Sequence, residues 1–155
     1  MMFSLRHVTD DSFKISYLNV GQGDSILIEL PRRKEVYLVD TGGLLRFRSE
    51  TWKERDNPYE VGRQVVVPYL KGKGIAQIDK LILTHADADH VEGAEEVLRE
   101  IAVREIHVTP NSVLDNSMTD LLKEATKRKI PIKEKMAGIN WQIKATIFAY
   151  LSQTG

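Results

Sequence analysis

Four side chains that are good ligands for divalent metal ions lie within six consecutive residues of this sequence, in the segment Thr-His-Ala-Asp-Ala-Asp-His. They are His85, Asp87, Asp89 and His90. In extended backbone, residues i and i+2 point to the same side, so His85, Asp87 and Asp89 can share one side of a loop. A turn after them would direct Asp89 and His90 to a second ion. Two ions roughly 3.5–4 Å apart are the usual arrangement for metal-assisted hydrolysis of phosphate or acyl bonds.

The segments on either side of this motif predict a strand and a helix. Residues 78–84 are mostly apolar and predict a buried strand, and residues 91–101 have the apolar spacing of an amphipathic helix. Sites in α/β proteins usually lie beyond the carboxyl end of a strand, as this motif would. The simpler interpretation is that Asp87 or Asp89 caps the helix. A cap explains one carboxylate, but not two carboxylates and two histidines.

The composition excludes several kinds of protein and of site. The chain has 155 residues, of which 42% are hydrophobic, and this suits one globular domain. The formal net charge is zero, so contact with nucleic acid would need a local patch of positive charge. Because there is no cysteine, imidazole and carboxylate groups must hold any metal. No apolar run approaches the ~20 residues of a membrane span.

The end of another predicted strand could lie beside the histidine motif. Strands are predicted over residues 13–20, 25–30 and 36–39, and the third ends in Asp40-Thr41-Gly42-Gly43. We expect the two strand ends to converge, with the Asp40 carboxylate orienting a ligand histidine. The alternative is that Asp40 only closes an Asx-type turn.

Three other segments leave a structural and a functional interpretation open. Gly21-Gln22-Gly23-Asp24 is either a tight hairpin turn or a loop that faces the site. The loop over residues 44–60 mixes basic and aromatic side chains, which suits single-stranded nucleic acid, but its acidic residues cancel the positive charge, and a plain solvated loop is the alternative. His107, in a short predicted strand over residues 105–108, is interpreted as structural.

The remaining elements are predicted from apolar spacing and helix signals. A helix over residues 61–73 would start late or kink at Pro68. Ser117 and Asp120 resemble a capping box at the start of the next helix. Strands are then expected after Pro131 and over residues 141–151.

The histidine motif resembles the His-x-His-x-Asp-His signature of the metallo-β-lactamase superfamily, with Asp87 at the position of the second histidine. Asp40-Thr41-Gly42 is similar to the Asp-Thr-Gly that ends a strand in that superfamily. Three further segments make the chain similar to the hydrolase-like domain of ComEC-type DNA-internalisation (competence) proteins. They are Asn19–Ser25, Val66–Leu70 and His85–Gly93.

This resemblance implies an α/β fold of the αββα type, with two sheets flanked by helices, of which the chain would hold the first half. It implies a two-metal hydrolase with His85 and Asp87 at one ion and Asp89 and His90 at the other. Asp89 would also hold or deprotonate the attacking water. The aspartate at position 87 favours Mn²⁺ or Mg²⁺ more than an all-histidine site would, with Zn²⁺ as the other option. The side chains expected to support these ligands without touching the ions are Asp24, Asp40 and Thr41.

The later ligands of the superfamily have no counterpart in the chain, since no histidine follows His107. We therefore expect residues 1–12 to be a lead-in and residues 13–155 to be a partial domain, truncated at its C-terminus. Such a fragment would be weakly active or inactive, and its metal site could stay empty. Half of a two-sheet fold would also leave apolar surface uncovered, which favours self-association.

The function that the resemblance implies is a nuclease or phosphodiesterase of bacterial DNA uptake. The chain would be a soluble extracytoplasmic domain of a plasma-membrane protein, with single-stranded DNA and a transmembrane channel domain as its partners. One alternative is a hydrolase of a small ester, lactone or phosphoester, which would be cytoplasmic if free-standing. The other is a non-catalytic module that guides DNA.

Overall fold

The structure, a computed structural model, describes residues 10–43, 61–86, 91, 93–110 and 112–135. Within these ranges six strands form one sheet, in which each strand lies beside its neighbour in the chain. The strands are β1 (Lys14–Tyr17), β2 (Ile26–Glu29), β3 (Val36–Val39), β4 (Gln77–Leu83), β5 (Ala102–Val108) and β6 (Ile132–Glu134). β1 to β3 pair antiparallel, and β3 to β6 pair parallel. The predicted loop over residues 44–60 and the strands over 141–151 lie outside the described residues.

The strands follow the predicted order, but β1 ends at Tyr17 rather than at residue 20, and β5 is longer than predicted. β3 has the predicted bounds, and the charged segment after β2 forms a 3₁₀ turn over Pro31–Arg33 that closes the hairpin. β5 begins three residues before the predicted strand, at Ala102, because it pairs in register with β4 from Gln77 onward. Pairing with a neighbour lengthens this strand beyond its own apolar run.

Within the part of the chain that the structure describes, three α-helices lie between the parallel strands. A π-helical segment over Gly62–Val66 continues directly into α1 (Val67–Gly72). Pro68 is the second residue of α1, directly after the π-helical segment, so the helix does not start late at this proline, and its geometry changes from π to α beside it. The other two helices are α2 (Ala94–Glu100) and α3 (Thr119–Lys127). In the described ranges, no helix is long and apolar enough to cross a bilayer.

The helices pack against one face of the sheet. Leu27, Leu38, Leu81 and Ile106 lie side by side across β2 to β5 and are fully buried. They belong to one hydrophobic cluster with Val66, Leu70, Leu98 and Leu121 of the helical segments. The described residues thus form one sheet layer and one helix layer, as expected of a portion of an αββα domain.

The opposite face of the sheet carries exposed apolar side chains at β1. Phe13, Ile15 and Tyr17 alternate along this strand and are 42%, 49% and 77% exposed. Ile15 pairs with Ile28 and Tyr17 with Ile26, so the apolar surface continues onto β2. The expected uncovered apolar surface is therefore present at β1, and self-association through it stays a prediction.

A buried ion cluster closes the end of the sheet where β2 stops. Glu29 is 3% exposed and accepts hydrogen bonds from the side chains of Arg33 (2.8 Å) and Lys73. Arg33 also donates to the carbonyl of Lys73 at 2.7 Å. Burial raises the pKa of Glu29, but these hydrogen bonds outweigh burial, so the pKa lies below its usual value. The cluster ties the hairpin turn to the end of α1.

Candidate metal centre

The candidate site lies where β3 and β4 end side by side. The two strands are parallel neighbours, so the residues that follow them leave the sheet at the same edge. The amide of Asp40 donates to the carbonyl of Ile82 at 2.8 Å, which carries the pairing one residue past β3. The predicted convergence of the two strand ends is confirmed for Asp40 and the residues after Leu83.

Asp40 reaches across to the first residue after β4. Its carboxylate is 3% exposed and accepts two hydrogen bonds from Thr84, one from the amide (2.8 Å) and one from the hydroxyl (2.5 Å). Asp40 has a φ of 53°, in the left-handed region that aspartate tolerates better than most residues. Both carboxylate oxygens therefore fix the start of the histidine motif.

The hydroxyl of Thr84 also lies 2.7 Å from Nδ1 of His85. A hydroxyl has one proton, and Thr84 donates it to Asp40. Its oxygen can then only accept from His85, which places the ring proton on Nδ1 and the lone pair on Nε2. The chain of contacts from Asp40 through Thr84 thus selects the tautomer that can bind a metal through Nε2. The His85 side chain itself is exposed.

The structure brings together only some of the predicted site residues. Asp87, Asp89 and His90 lie outside the described residues, so their geometry at a metal stays a prediction. Thr41 is fully buried beside Asp40. Asp24 is exposed, and its carbonyl accepts the amide of Gly42 at 2.9 Å. Among the residues that the structure describes, no group of three or more metal-binding side chains is gathered.

The Gly21–Asp24 loop contacts the strand end that carries Asp40. The amide of Gly43 donates to the carbonyl of Gln22 at 3.3 Å, beside the bond from Gly42 to Asp24. Gly21 and Gly23 both have positive φ, as a tight turn requires. The loop is therefore a tight turn that also borders the site.

Glycines permit close packing behind the site. A Cβ on Gly93 would lie 2.8 Å from the carbonyl oxygen of Thr41, and one on Gly62 would lie 2.5 Å from the carbonyl oxygen of Gly93. The amide of Gly93 approaches the carbonyl of Gly42 at 3.4 Å. The segment before α2, the π-helical segment and the Asp40 strand end thus meet backbone to backbone.

The predicted capping box at Ser117 is wrong. The hydroxyl of Ser117 donates instead to the carbonyl of Ala86, the residue after His85. The local cap comes from Asp115, whose side chain accepts the amide of Ser117 at 2.8 Å. Asp120 lies in the first turn of α3, where a negative charge favours the helix dipole.

His107 lies away from the site, as its structural interpretation predicted. It is buried on β5, and its Nε2 lies 2.7 Å from a carboxylate oxygen of Glu105. Burial lowers the pKa of His107, and the hydrogen bond to Glu105 opposes this only in part. His107 is therefore neutral at pH 7.

Thr84, Ser117 and Gly93 contribute to the site but were not assigned roles from the sequence. For Thr84 the signal was present, since a hydroxyl adjoins a candidate ligand and a buried carboxylate follows the neighbouring strand. The contacts of Ser117 and Gly93 are made across the fold, and local sequence patterns do not reveal them.

Comparison with known proteins identifies the family. The model of the metallo-beta-lactamase superfamily matches residues 18–115. The chain belongs to this superfamily. It is 37% identical over 139 residues to ComE operon protein 3 of Bacillus subtilis, covering 90% of this chain and 18% of that protein. It is 31% identical over 106 residues to Recombination protein 2 of Haemophilus influenzae, covering 68% of this chain and 12% of that protein.

The resemblance to ComEC-type proteins is thereby confirmed. The chain corresponds to less than a fifth of the length of either relative, at 18% and 12%. Among solved structures, a metallo beta lactamase from Hirschia baltica aligns with 86% of this chain and 57% of its own, at 17% identity and a TM-score of 0.42. The fold assignment rests on the family match and on the sheet itself.

The side chains present suit a hard or borderline divalent metal. An imidazole held at Nδ1 is a common protein ligand for such ions, and the adjoining sequence supplies two carboxylates and a second imidazole. The superfamily commonly binds divalent metals. The donor set of this chain therefore fits the metal that its family implies.

Proposed function

We propose that this chain is part of a metal-dependent hydrolase domain that cleaves phosphodiester bonds of DNA during DNA uptake. The observation that carries the proposal is the hydrogen-bonded chain from Asp40 through Thr84 to His85, which directs Nε2 of an exposed imidazole at the strand end. Structural histidines seldom need such an arrangement at an exposed loop, whereas metal ligands are usually oriented by a carboxylate or hydroxyl behind them.

The proposed ligands divide between two ions. His85 and Asp87 would hold the first, and Asp89 and His90 would hold the second. The metal ions, Zn²⁺, Mn²⁺ or Mg²⁺, would supply Lewis acidity and a water of lowered pKa. Asp89 would accept the proton of the attacking water, and Asp40 with Thr84 would hold the His85 ring in place. Thr41 and Asp24 would support the loop from the neighbouring strand end and turn.

The DNA substrate is proposed from the relatives. ComE operon protein 3 and Recombination protein 2 bear names that refer to a competence operon and to recombination. We infer a single DNA strand as the substrate and a transmembrane channel in the same protein as the neighbouring domain. The domain would lie on the extracytoplasmic side of a bacterial plasma membrane. Since the formal net charge is zero, binding would depend on a local basic segment rather than on a global field.

Cleavage of end-labelled single-stranded and double-stranded DNA in Mn²⁺ tests this proposal. The wild-type chain and full-length ComE operon protein 3 would each be compared with a variant in which alanine replaces His85 or its counterpart in the longer protein. We expect cleavage that requires Mn²⁺ and falls at least ~100-fold in the histidine variant, with the longer protein more active. Esters, lactones and bis(p-nitrophenyl) phosphate would serve as competing substrates.

Two results would contradict the proposal. DNA binding that weakens steeply with salt, without cleavage in any form, would indicate a module that guides DNA. Turnover of an ester or lactone, with DNA left intact, would assign the site to a small-molecule hydrolase.

A further inference from the structure

The hydroxyl of Ser117 joins the segment after β5 to the histidine loop after β4. We propose that Ser117 is a positioning residue of the metal site, which fixes the peptide between His85 and Asp87. The inference rests on the proposed function, because it assigns Ser117 a purpose at the same metal centre.

Ser117 does not cap α3, and its side chain has two partners, the carbonyl of Ala86 and the carboxylate of Asp115. Asp115 accepts the backbone amide of Ser117 at 2.8 Å, and α3 begins two residues after Ser117, at Thr119. Ser117 and Ala86 are 31 positions apart in the chain. The contact is therefore a tertiary one, made where the loops after two neighbouring parallel strands meet.

A hydrogen bond to the carbonyl of Ala86 constrains the backbone of the histidine loop. This carbonyl belongs to the residue directly after His85, and a peptide unit is planar, so a bond to this carbonyl fixes the orientation of the whole peptide group. Ala86 itself packs against the hydrophobic core. His85 is meanwhile held at Nδ1 by Thr84. The backbone is thus held on both sides of His85, by Asp40 at the amide of Thr84 and by Ser117 at the carbonyl of Ala86.

The segment that carries Ser117 is a firm support. Successive turns hold it, with amide-to-carbonyl bonds from Ser112 to Thr109 (3.2 Å), from Asp115 to Ser112 (3.1 Å) and from Met118 to Asp115 (3.1 Å). Met118, the next residue, is fully buried. Because this segment is itself fixed, the hydroxyl of Ser117 can set the position of the histidine loop after β4.

Zinc titration of three variants tests the inference. Ser117→Ala removes the hydroxyl, Ser117→Thr keeps it, and Ser112→Ala removes another hydroxyl of the same segment, which contacts the hydroxyl of Thr109. We expect Ser117→Ala to weaken Zn²⁺ binding ~10-fold, and the other two to stay within about twofold of wild type. The ¹³C shift of the Ala86 carbonyl, read through the Asp87 amide, should change in Ser117→Ala alone.

Each result separates the inference from the proposed function. Unchanged zinc affinity in Ser117→Ala, or an unchanged Ala86 carbonyl shift, would overturn the role of Ser117 while leaving the metal site intact. A fall in the melting temperature of the metal-free protein with unchanged affinity would reduce Ser117 to a structural residue. Absence of zinc binding in every form, wild type included, would overturn the metal site and this role with it.

Discussion

Two carboxylates buried to the same extent, Glu29 and Asp40, lie at opposite ends of the sheet with different partners. Each is 3% exposed. Glu29 accepts from the cations Arg33 and Lys73. Asp40 accepts from the amide and the hydroxyl of Thr84, which in turn contacts His85. One buried carboxylate thus binds charged side chains of the scaffold, and the other lies behind an exposed imidazole.

The different partners predict that Glu29 contributes to the stability of the fold and that Asp40 contributes to the position of His85. Removing Glu29 would leave two cations without their buried counter-charge, so the protein should lose stability. Removing the acceptor atoms of Asp40 would free Thr84 and change which nitrogen of His85 carries the proton. Metal affinity should therefore fall. Variants can test this separation.

The largest change in stability is expected for Glu29→Gln. The neutral amide leaves Arg33 and Lys73 near a buried, uncharged group, and we expect a loss of roughly 2–3 kcal/mol in the free energy of unfolding in urea. Because the pKa of Glu29 is lowered in the folded protein, its contribution is present above pH 4.5 and is lost as the pH falls through the folded pKa. Glu100→Gln, which removes the exposed pair with Lys71, is the control and should change little. A weakened metal affinity in Glu29→Gln would contradict the assignment of Glu29 to stability alone.

Gly93→Ala should produce the next largest loss of stability. Its new Cβ would lie 2.8 Å from the carbonyl oxygen of Thr41 and 3.1 Å from the Thr41 Cβ. We expect a loss of ~1–3 kcal/mol in stability, from overpacking behind the site, and a weaker metal affinity. Gly72→Ala is the matched control, since nothing lies within 4 Å of its added Cβ in α1. Equal stability of the two variants would contradict the close packing at Gly93.

Asp40→Asn should lower the free energy of unfolding less than the two preceding variants do, and it should weaken metal binding more. Asparagine tolerates the left-handed φ of 53° at this position, but its amide nitrogen cannot accept the hydroxyl of Thr84. We expect a loss of ~1–2 kcal/mol in stability and ~10-fold weaker Zn²⁺ binding by calorimetry. Asp11→Asn, in an exposed pair with Arg32, should leave both quantities unchanged. Full zinc affinity in Asp40→Asn would refute the positioning role.

The smallest predicted effect concerns pH. Burial lowers the pKa of the folded His107 below 6.5, with Glu105 opposing and Lys80 and Lys133 assisting. The unfolded chain therefore binds more protons than the folded one at mildly acidic pH, and stability falls as the pH drops below 6.5. The slope from this group is at most about 1.4 kcal/mol per pH unit. His107→Gln should flatten the urea-derived stability curve between pH 7 and 5, and an unchanged slope would exclude His107 as its source.

The parts of the fold that the sequence predicts are those with local signals. The apolar run of β3 lies between a charged turn and Asp-Thr-Gly-Gly, and it has the predicted bounds, Val36–Val39. The early start of β5 at Ala102 depends on pairing with β4, and no property of residues 102–104 alone predicts it. The burial of Glu29 depends on Lys73, 44 positions later in the chain.

The same division applies to the site. The convergence of Asp40 with the end of β4 follows from parallel strands and polar strand ends, and both are visible in the sequence. Ser117 was misassigned because a serine three residues before an acid has the pattern of a capping box, whereas the acceptor of its hydroxyl is Ala86. Local patterns predict which residues could do chemistry, and tertiary contacts decide which residues hold them in position.

Metal binding by the histidine loop is the most direct test of the central claim. Zn²⁺ and Mn²⁺ would be titrated into the wild-type chain and into His85→Ala, Asp89→Ala and the control Asp11→Asn, with bound metal measured by mass spectrometry after equilibrium dialysis. We predict metal binding by the wild type and the control that is lost in both ligand variants. Wild-type binding that persists in His85→Ala would contradict the account, as would absence of binding both to this chain and to a longer protein that carries the downstream segment.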